Sequence, residues 1–358
     1  MQTGAFTDRE RAIWKRLPLH PQPQPFETLT SYLTRLSSAN GLQSMNELGV
    51  LAGATWSRVK THPDYPCPVY EGLAGIAGCP AERLASTTLL HLAQHFGYSP
   101  HPKPLRRFLH TSLAPFLRYC PLCLAESSFP YYSLLWRFLT IPGCASHGCL
   151  LLEQCGQCGS PLPLVLRTPR LGCCPTCQRE LSTCQTAALP RELMQVTQRR
   201  TEELEMLLSP RSRTVVDARP KVIGRRFAEL RHLRNLSITA VASLMHMDER
   251  VVLDIEYVNQ HRAATFSDYL QYADSLGYSL REVFASEHLQ KHLTPLGEQQ
   301  MVAQVEAAAQ HLQARGIPVT QRSLVNCLGL PRTALHAYPS LLSSLKRDMQ
   351  ERRHEKAR

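Results

Sequence analysis

The 358-residue sequence predicts a mainly α-helical protein made of several small units, one of which is held together by metal. Apolar residues recur at helical spacing before residue 100 and again after residue 225. Between these parts, cysteines occur in couples, and a polar, basic segment follows them. At this length the chain can form two or three domains, each with its own core.

Four couples in the cysteine-rich segment have C-x2-C or C-x2-H spacing. They are Cys120 with Cys123, Cys144 with His147, Cys155 with Cys158, and Cys174 with Cys177. Each couple forms a tight loop whose two side chains converge on one ion, and zinc prefers thiolate and neutral imidazole. The fifteen residues between Cys158 and Cys174 fall within a common zinc spacing. These eight ligands predict two Zn²⁺ ions.

A disulfide framework is the alternative interpretation of so many cysteines. The N-terminus has no apolar core typical of a signal peptide, and no apolar run of 18 residues is long enough to span a membrane. We therefore expect a reducing compartment, the cytoplasm, where zinc is favoured over disulfides. Four thiolate or imidazole ligands leave no open position for water, so both zinc ions are predicted to be structural.

Neighbouring cysteines leave the exact ligand sets open. Cys149 follows His147 by two residues and could replace it as a ligand. In the second set, Cys173 or Cys184 could replace Cys174 or Cys177. Three cysteines stand apart and are expected to be small buried side chains: Cys67, Cys79 and Cys327.

The charge predicts a polyanionic partner. There are 40 Lys and Arg against 29 Asp and Glu, a net charge of +11. Basic residues precede the cysteines at Lys103, Arg106, Arg107 and Arg118, and follow them at Arg199, Arg200, Arg211, Arg213, Arg219, Lys221, Arg225 and Arg226. Such clustering favours nucleic acid over a merely solvated surface. We predict nucleic-acid contacts for Arg211, Arg213, Arg219 and Lys221.

The N-terminal part has the pattern of short helices. An apolar stripe at i, i+3, i+7 and i+10 consists of Phe26, Leu29, Leu33 and Leu36, and Asn40-Gly41 predicts a left-handed stop. Further helices are predicted over 45–52, 71–77 and 81–93. His91 and His95 lie four apart on the last of these, but the Glu of an H-E-x-x-H motif is absent. We interpret them as ordinary helix histidines.

The N-terminal and cysteine-rich motifs together resemble the TniQ/TnsD family of transposon target-selection proteins. One part of the resemblance is Pro25-Phe-Glu-Thr-Leu-Thr-Ser-Tyr-Leu-Thr-Arg-Leu-Ser-Ser-Ala-Asn-Gly41. The other part is Arg118-Tyr-Cys-Pro-Leu-Cys-Leu, Leu135-Trp136 and the three later couples in the same order. The resemblance covers residues 18–184. It implies a non-enzymatic adaptor that connects a target recogniser to an AAA+ ATPase, which recruits the transposase. The recogniser is the protein's own DNA-binding surface or a CRISPR guide-RNA effector complex, and some members act as homodimers.

The C-terminal part contains a first candidate helix-turn-helix. A helix over 225–234 carries Phe227, Leu230 and Leu233 on one face, Ser237 caps a second helix, and Asp248 caps a third. About sixty residues resemble the Cro/cI repressor type, although His246 stands where that type has glycine. Arg250 is the main candidate contact to DNA in the third helix, which also carries acidic residues. A protein contact is therefore an equal alternative.

A second candidate helix-turn-helix follows. A helix over 298–315 ends at Gly316, Thr320 caps the next helix, and Pro331 begins a third. Arg332, Thr333 and His336 lie in this third helix without nearby acid, so we predict that they contact DNA. The alternative is a small helical bundle that only packs against the rest.

These observations divide the chain into five segments. They are 1–117, the N-terminal helical region; 118–208, the zinc-binding region; 209–224, a linker; 225–290, the Cro/cI-like module; and 291–358, the second helical module. The sequence has no P-loop, no G-x-S-x-G motif and no open metal site, so no enzyme is predicted. We expect a transposition adaptor; the alternative is a zinc-containing, DNA-binding transcription regulator. RNA-guided and direct DNA targeting remain equally compatible with the sequence.

Overall fold

A computed structural model provides the structure of the chain. It describes residues 16–52, 64–65, 70–98, 102–166, 170–210, 220–234, 236–257, 264–285, 298–314 and 317–328. The chain forms two compact units, Met1–Thr214 and Val215–Arg358. Both units are mainly helical, which confirms the predicted fold class. None of the described helices is long and apolar enough to cross a membrane.

Within its described residues, the first unit begins with six short helices and continues into the cysteine-rich segment. The helices are α1 Leu29–Ala39, α2 Met45–Leu51, α3 Tyr70–Ala77, α4 Ala81–Ala85, α5 Leu90–His95 and α6 Pro102–Leu109. The cysteine-rich segment contains α7 Pro121–Glu126, a 3-10 turn Leu134–Arg137, strands β1 Gly143–Cys144 and β2 Cys149–Leu150, and a 3-10 turn Leu181–Thr183. The long helix α8 Arg191–Leu208 closes the unit.

Helix α1 forms the centre of the N-terminal core. Leu29, Leu33 and Leu36 are fully buried, as the apolar stripe predicts, and they pack with residues of α2, α3 and α4. The prediction of the apolar stripe was wrong at its first residue, Phe26. Phe26 precedes the helix with a positive φ of 53°, so its side chain cannot continue the helical row. Gly41 has a φ of 68° after the end of α1, which confirms the predicted left-handed stop.

The single helix predicted over 81–93 was wrong, because the structure has two helices, α4 and α5, separated by a turn. The hydroxyls of Thr87 and Thr88 donate to the carbonyls of Leu84 and Ala85 at 2.6 and 2.7 Å. Such local side-chain bonds compete with a continuous helix. The turn also exposes the Thr87 carbonyl, which accepts the Leu29 N–H at 2.8 Å at the start of α1.

The second unit contains seven helices within its described residues. They are α9 Pro220–Leu233, α10 Ile238–Leu244, α11 Glu249–Tyr257, α12 Phe266–Leu276, α13 Leu280–Ala285, α14 Glu298–Ala314 and α15 Gln321–Leu328. Helix α9 begins five residues before the predicted start at Arg225, because Pro220 with its fixed φ suits the first helical position. Two predicted caps are confirmed, since the hydroxyls of Ser237 and Thr320 accept N–H groups of α10 and α15.

A buried ion pair lies in the core of the second unit. The prediction that Leu233 faces the core was wrong: Leu233 is 56% exposed, whereas Arg231 is 1% exposed. Arg231 donates from Nε and Nη2 to the two carboxylate oxygens of Glu256 at 2.6 and 2.9 Å. The Tyr272 hydroxyl also donates to Glu256. Burial alone lowers the pKa of Arg231, but the hydrogen bond and charge of Glu256 outweigh burial and raise it.

We predict that Arg231→Met destabilises the second unit by about 3–5 kcal/mol, because it leaves the Glu256 carboxylate buried without its partner. Urea unfolding of the full-length chain, followed by circular dichroism, measures the change. The matched control is Arg250→Met, which removes an exposed arginine of the same unit and is expected to cost less than about 0.5 kcal/mol. Equal effects of the two variants would contradict the role assigned to the Arg231–Glu256 pair.

Candidate metal centres

The first cluster of metal-type donors consists of Cys120, Cys123, Cys144 and His147. Their donor atoms all lie within 4.8 Å of one another. Cys120 precedes α7 and accepts the N–H of Cys123 at its sulfur, so the two thiols lie together at the start of that helix. Cys144 lies on β1, and His147 lies in the turn that leads to β2. The structure thus brings together two couples from separate parts of the segment.

The spacing of these donors leaves room for one ion. Nδ1 of His147 lies 3.5, 3.2 and 3.5 Å from the sulfurs of Cys120, Cys123 and Cys144. The sulfurs of Cys123 and Cys144 are 3.5 Å apart. A tetrahedron with metal–sulfur bonds of about 2.3 Å has edges of about 3.8 Å, close to these distances. The four donors therefore match a closed tetrahedral site.

The charges of the first cluster also favour a cation. Hydrogen bonds from Cys123 and Cys144 lower the pKa of the Cys120 thiol to about 2. The same contact with Cys120 raises the pKa of Cys123. Several thiolates at this separation require a positive ion among them.

Glu126 contacts His147 from outside the first cluster, and the sequence motifs did not predict this contact. Its carboxylate lies 2.9 Å from Nε2 of His147, the ring nitrogen that points away from the sulfurs. Partial burial lowers the pKa of His147, but hydrogen bonds with Glu126 and Cys144 raise it overall. A carboxylate on the second nitrogen is typical of metal-binding histidines. The available signal was a Glu three residues after Cys123, at the end of α7.

The second cluster consists of Cys155, Cys158, Cys174 and Cys177, whose sulfurs all lie within 4.8 Å of one another. The sulfurs of Cys155 and Cys177 are 3.7 Å apart, and those of Cys158 and Cys174 are also 3.7 Å apart. These distances match the edge of about 3.8 Å expected for a tetrahedral thiolate site.

The two couples of the second cluster are held by similar backbone loops. The Cys155 N–H donates to the Ser160 carbonyl, and Gly159, with a φ of 70°, donates back to the Cys155 carbonyl. The Cys174 N–H donates to the Arg179 carbonyl, and Gln178, with a φ of 60°, donates back to the Cys174 carbonyl. Each loop thus needs one left-handed residue, which lets two cysteines three positions apart face one point.

Three further cysteines lie beside the clusters. The Cys149 sulfur is 3.5 Å from that of Cys120, and burial raises the pKa of the Cys149 thiol to about 12. Cys184 packs against the backbone of Gly156, and Cys173 is buried next to Cys174. None of these three belongs to the two groups of four found among the described residues. Of the three cysteines expected to be small buried side chains, Cys79 is buried and Cys327 is half-buried. Cys67 lies outside the described residues.

The residues of the N-terminal motif connect α1 to the first cluster. The fully buried Glu27 carboxylate accepts hydrogen bonds from Arg35 at 2.6 and 2.9 Å and from the Ser31 hydroxyl at 2.8 Å. The Ser31 oxygen in turn accepts the Tyr132 N–H at 3.0 Å. Tyr132 lies between the two donor couples of the first cluster. These hydrogen bonds therefore hold the cysteine-rich segment against α1.

Two more interactions join the same parts of the first unit. The Thr28 N–H donates to the Tyr132 carbonyl at 2.9 Å. Asp64 and Arg137 form a buried ion pair at 3.0 Å, and Arg137 also donates to the Phe116 carbonyl. The helical region and the first cluster are therefore parts of one packed structure.

The residues predicted to bind nucleic acid are only partly described. Arg211, Arg213 and Arg219, and likewise Arg332, Thr333 and His336, lie outside the described residues. Lys221 lies on α9. Arg250 is exposed on α11, where its N–H donates to the Asp248 carboxylate at 2.8 Å. The candidate contacts therefore remain predictions.

The two histidines His91 and His95 are not part of either metal-type cluster among the described residues. His91 lies 3.3 Å from the Gln94 side chain, and burial lowers the pKa of His91. His95 is buried at the end of α5. Both lie on α5, and their interpretation as ordinary helix histidines stays a prediction.

The fold and the two clusters define a mainly helical protein with two four-donor sites that could bind metal ions. Residues 18–151 match the model of the TniQ family. This match agrees with the resemblance that the motifs predicted, and a TniQ domain points to a transposition-associated target-selection protein. A comparison with curated proteins found no match. The Cro/cI resemblance of the C-terminal part stays a prediction.

We predict that Glu126→Gln weakens metal binding at the first cluster by about 10- to 100-fold, because the amide cannot orient His147 as the carboxylate does. Competition with a chelator of known affinity measures the change, and the second cluster serves as an internal reference. Glu192→Gln, an exposed glutamate on α8, is the matched control and should leave both affinities unchanged. A normal first-site affinity in Glu126→Gln would contradict the orienting role assigned to Glu126.

Proposed function

We propose that each cluster binds one structural Zn²⁺. Cys120, Cys123, Cys144 and His147 would hold the first ion, and Cys155, Cys158, Cys174 and Cys177 the second. The donor types support zinc, because thiolates and imidazoles in groups of four are its usual structural ligands. The carboxylate of Glu126 on His147 supports the imidazole as a ligand of the first ion. With four protein donors each, the ions would stabilise the fold without activating water.

We infer further that the chain is a target-selection adaptor of a DNA transposition system. It would link a target recogniser to an AAA+ ATPase, which in turn recruits the transposase. The match of residues 18–151 to the TniQ family carries this proposal. The role is non-catalytic, in keeping with the family, and the functional chain is a monomer or a homodimer.

The first unit is the better candidate for binding the ATPase. It contains the whole TniQ match, and the Glu27, Ser31 and Tyr132 contacts join its helices and first cluster in one packed structure. A rigid surface loses little conformational entropy when it binds a partner. The second unit, with the basic segment before it, would then contact the target DNA or a guide-RNA effector complex.

Electrostatics distinguish the two possible targets. Asp248 and Glu249 are exposed at the start of α11 beside Arg250. Carboxylates at this position repel DNA phosphates, which favours a protein partner for this helix. DNA contact would therefore rely on the basic residues of 211–221 and on Arg332, Thr333 and His336.

A zinc-containing transcription regulator is the second candidate function. It is favoured by the order of α9, α10 and α11, by the Ser237 cap, and by the left-handed turn at His246, whose φ is 52°. Such a regulator would make no use of the TniQ part of the chain. Genes for a transposase and an AAA+ ATPase beside this one would favour the adaptor.

We predict that the chain is required for targeted insertion in a reconstituted transposition reaction. Omitting it should abolish targeted insertion while the transposase keeps its strand-transfer activity on a pre-activated substrate. A chain ending at Leu208, the last residue of α8, should still bind the ATPase but lose targeting. Normal targeted insertion without the protein would contradict the adaptor role. ATPase binding by residues 215–358 alone would reverse the proposed division of labour.

We predict that replacing Arg211, Arg213 and Arg219 with Gln flattens the salt dependence of DNA binding by roughly two to three units of log–log slope. Each phosphate contact releases counterions, so lost contacts reduce the slope. The matched control replaces the exposed Arg170, Arg179 and Arg191 of the first unit, with the same loss of charge. An unchanged slope in the first variant, or the same flattening in both, would show that the basic segment makes no specific phosphate contacts.

A further inference from the structure

Cys149 lies directly beside the first cluster, on the strand opposite one of its donors. Strands β1 and β2 are antiparallel, with Cys144 paired to Cys149. Side chains of a cross-strand pair lie on the same face of the hairpin, with Cβ atoms about 4.5–5.5 Å apart. The Cys149 side chain therefore faces the same side as the Cys144 donor.

The Cys149 sulfur lies outside the group of four donors but in contact with one of them. It is 3.5 Å from the Cys120 sulfur, the same separation that joins Cys123 and Cys144 within the cluster. Cys149 is also 4% exposed, so its thiol is enclosed by protein next to the donors. A fifth thiol therefore lies next to a site that takes four donors.

His147 is the donor of this cluster that can most easily be replaced. It lies in the turn between the strands, beside Gly148 with a φ of 59°, whereas Cys144 lies on β1 and Cys120 is fully buried. The partner that orients its ring, Glu126, has a side chain that is 70% exposed. Movement of the turn would remove the imidazole and leave the three thiols and Cys149 in place.

We propose that Cys149 is a reserve ligand that keeps the metal in the first cluster when the imidazole of His147 is withdrawn. In this exchange the metal–nitrogen bond to His147 breaks, a metal–sulfur bond to Cys149 forms, and the thiol proton passes to solvent. The site changes from three sulfurs and one nitrogen to four sulfurs. This inference rests on the metal binding proposed above.

The test measures the metal content and Co²⁺ spectra of full-length variants. Wild type and Cys149→Ala should each hold two ions per chain and share one spectrum, with three sulfurs and one nitrogen at the first site. His147→Ala should also hold two ions, with stronger thiolate-to-cobalt charge-transfer absorption because a fourth sulfur is bound. His147→Ala with Cys149→Ala should hold only the ion of the second cluster.

The matched control combines His147→Ala with Cys79→Ala, which removes a buried thiol in the N-terminal core away from both clusters. It should keep two ions and the four-sulfur spectrum. One ion in His147→Ala, or two ions without the added sulfur absorption, would overturn the role of Cys149. If the variant that combines His147→Ala with Cys149→Ala does not fold, the spectrum of His147→Ala alone decides between these outcomes. Fewer than two ions in wild type would instead contradict the metal centres themselves, and this inference with them.

Discussion

The buried carboxylate of Glu27 is the constraint on which the first unit depends. A fully buried carboxylate is stable only when its oxygens are paired and hydrogen-bonded, because its desolvation costs several kcal/mol. Arg35, Ser31 and the Gln24 N–H supply these partners, and together they determine the path of the chain into α1. Ser31 also accepts the Tyr132 N–H, so satisfying Glu27 positions the segment between the first two donor couples. The same few residues thus order both the helix and the first cluster.

The cysteine-rich segment has little regular structure around its two candidate metal centres. Its regular structure consists of one short helix, two turns and two strands of two residues each. Its buried apolar residues, among them Leu134, Phe138 and Ile141, are held in short loops, so under the metal binding proposed above the ligand bonds would add to the folding free energy that this burial supplies. The contacts of Tyr132 with α1 and of Arg137 with Asp64 then pass that stabilisation to the helical region. Loss of the first ion would therefore loosen the N-terminal helices as well as the segment that binds it.

The described core of the second unit is organised around a buried ion pair. Arg231, Glu256 and Tyr272 come from three helices, α9, α11 and α12, and meet in the core. Because a buried ion pair is strongly directional, it specifies one arrangement of these helices, whereas apolar side chains alone allow several. The acidic start of α11 lies at the surface of this bundle. The buried charges therefore hold the helices, whereas the surface charges would select a partner under the proposed function.

The sequence by itself determined the features that depend on neighbouring residues. The four donor couples could be recognised because two ligands in one tight loop need a fixed spacing, and the caps at Ser237 and Thr320 because they bind N–H groups three residues ahead. The tertiary structure alone decided the rest. It placed Glu126 on His147, set the Cys149 sulfur against Cys120, and buried Arg231 in place of Leu233. These contacts join residues that are distant in sequence or on an unexpected helix face, and local patterns contain no information on how the chain brings such residues together.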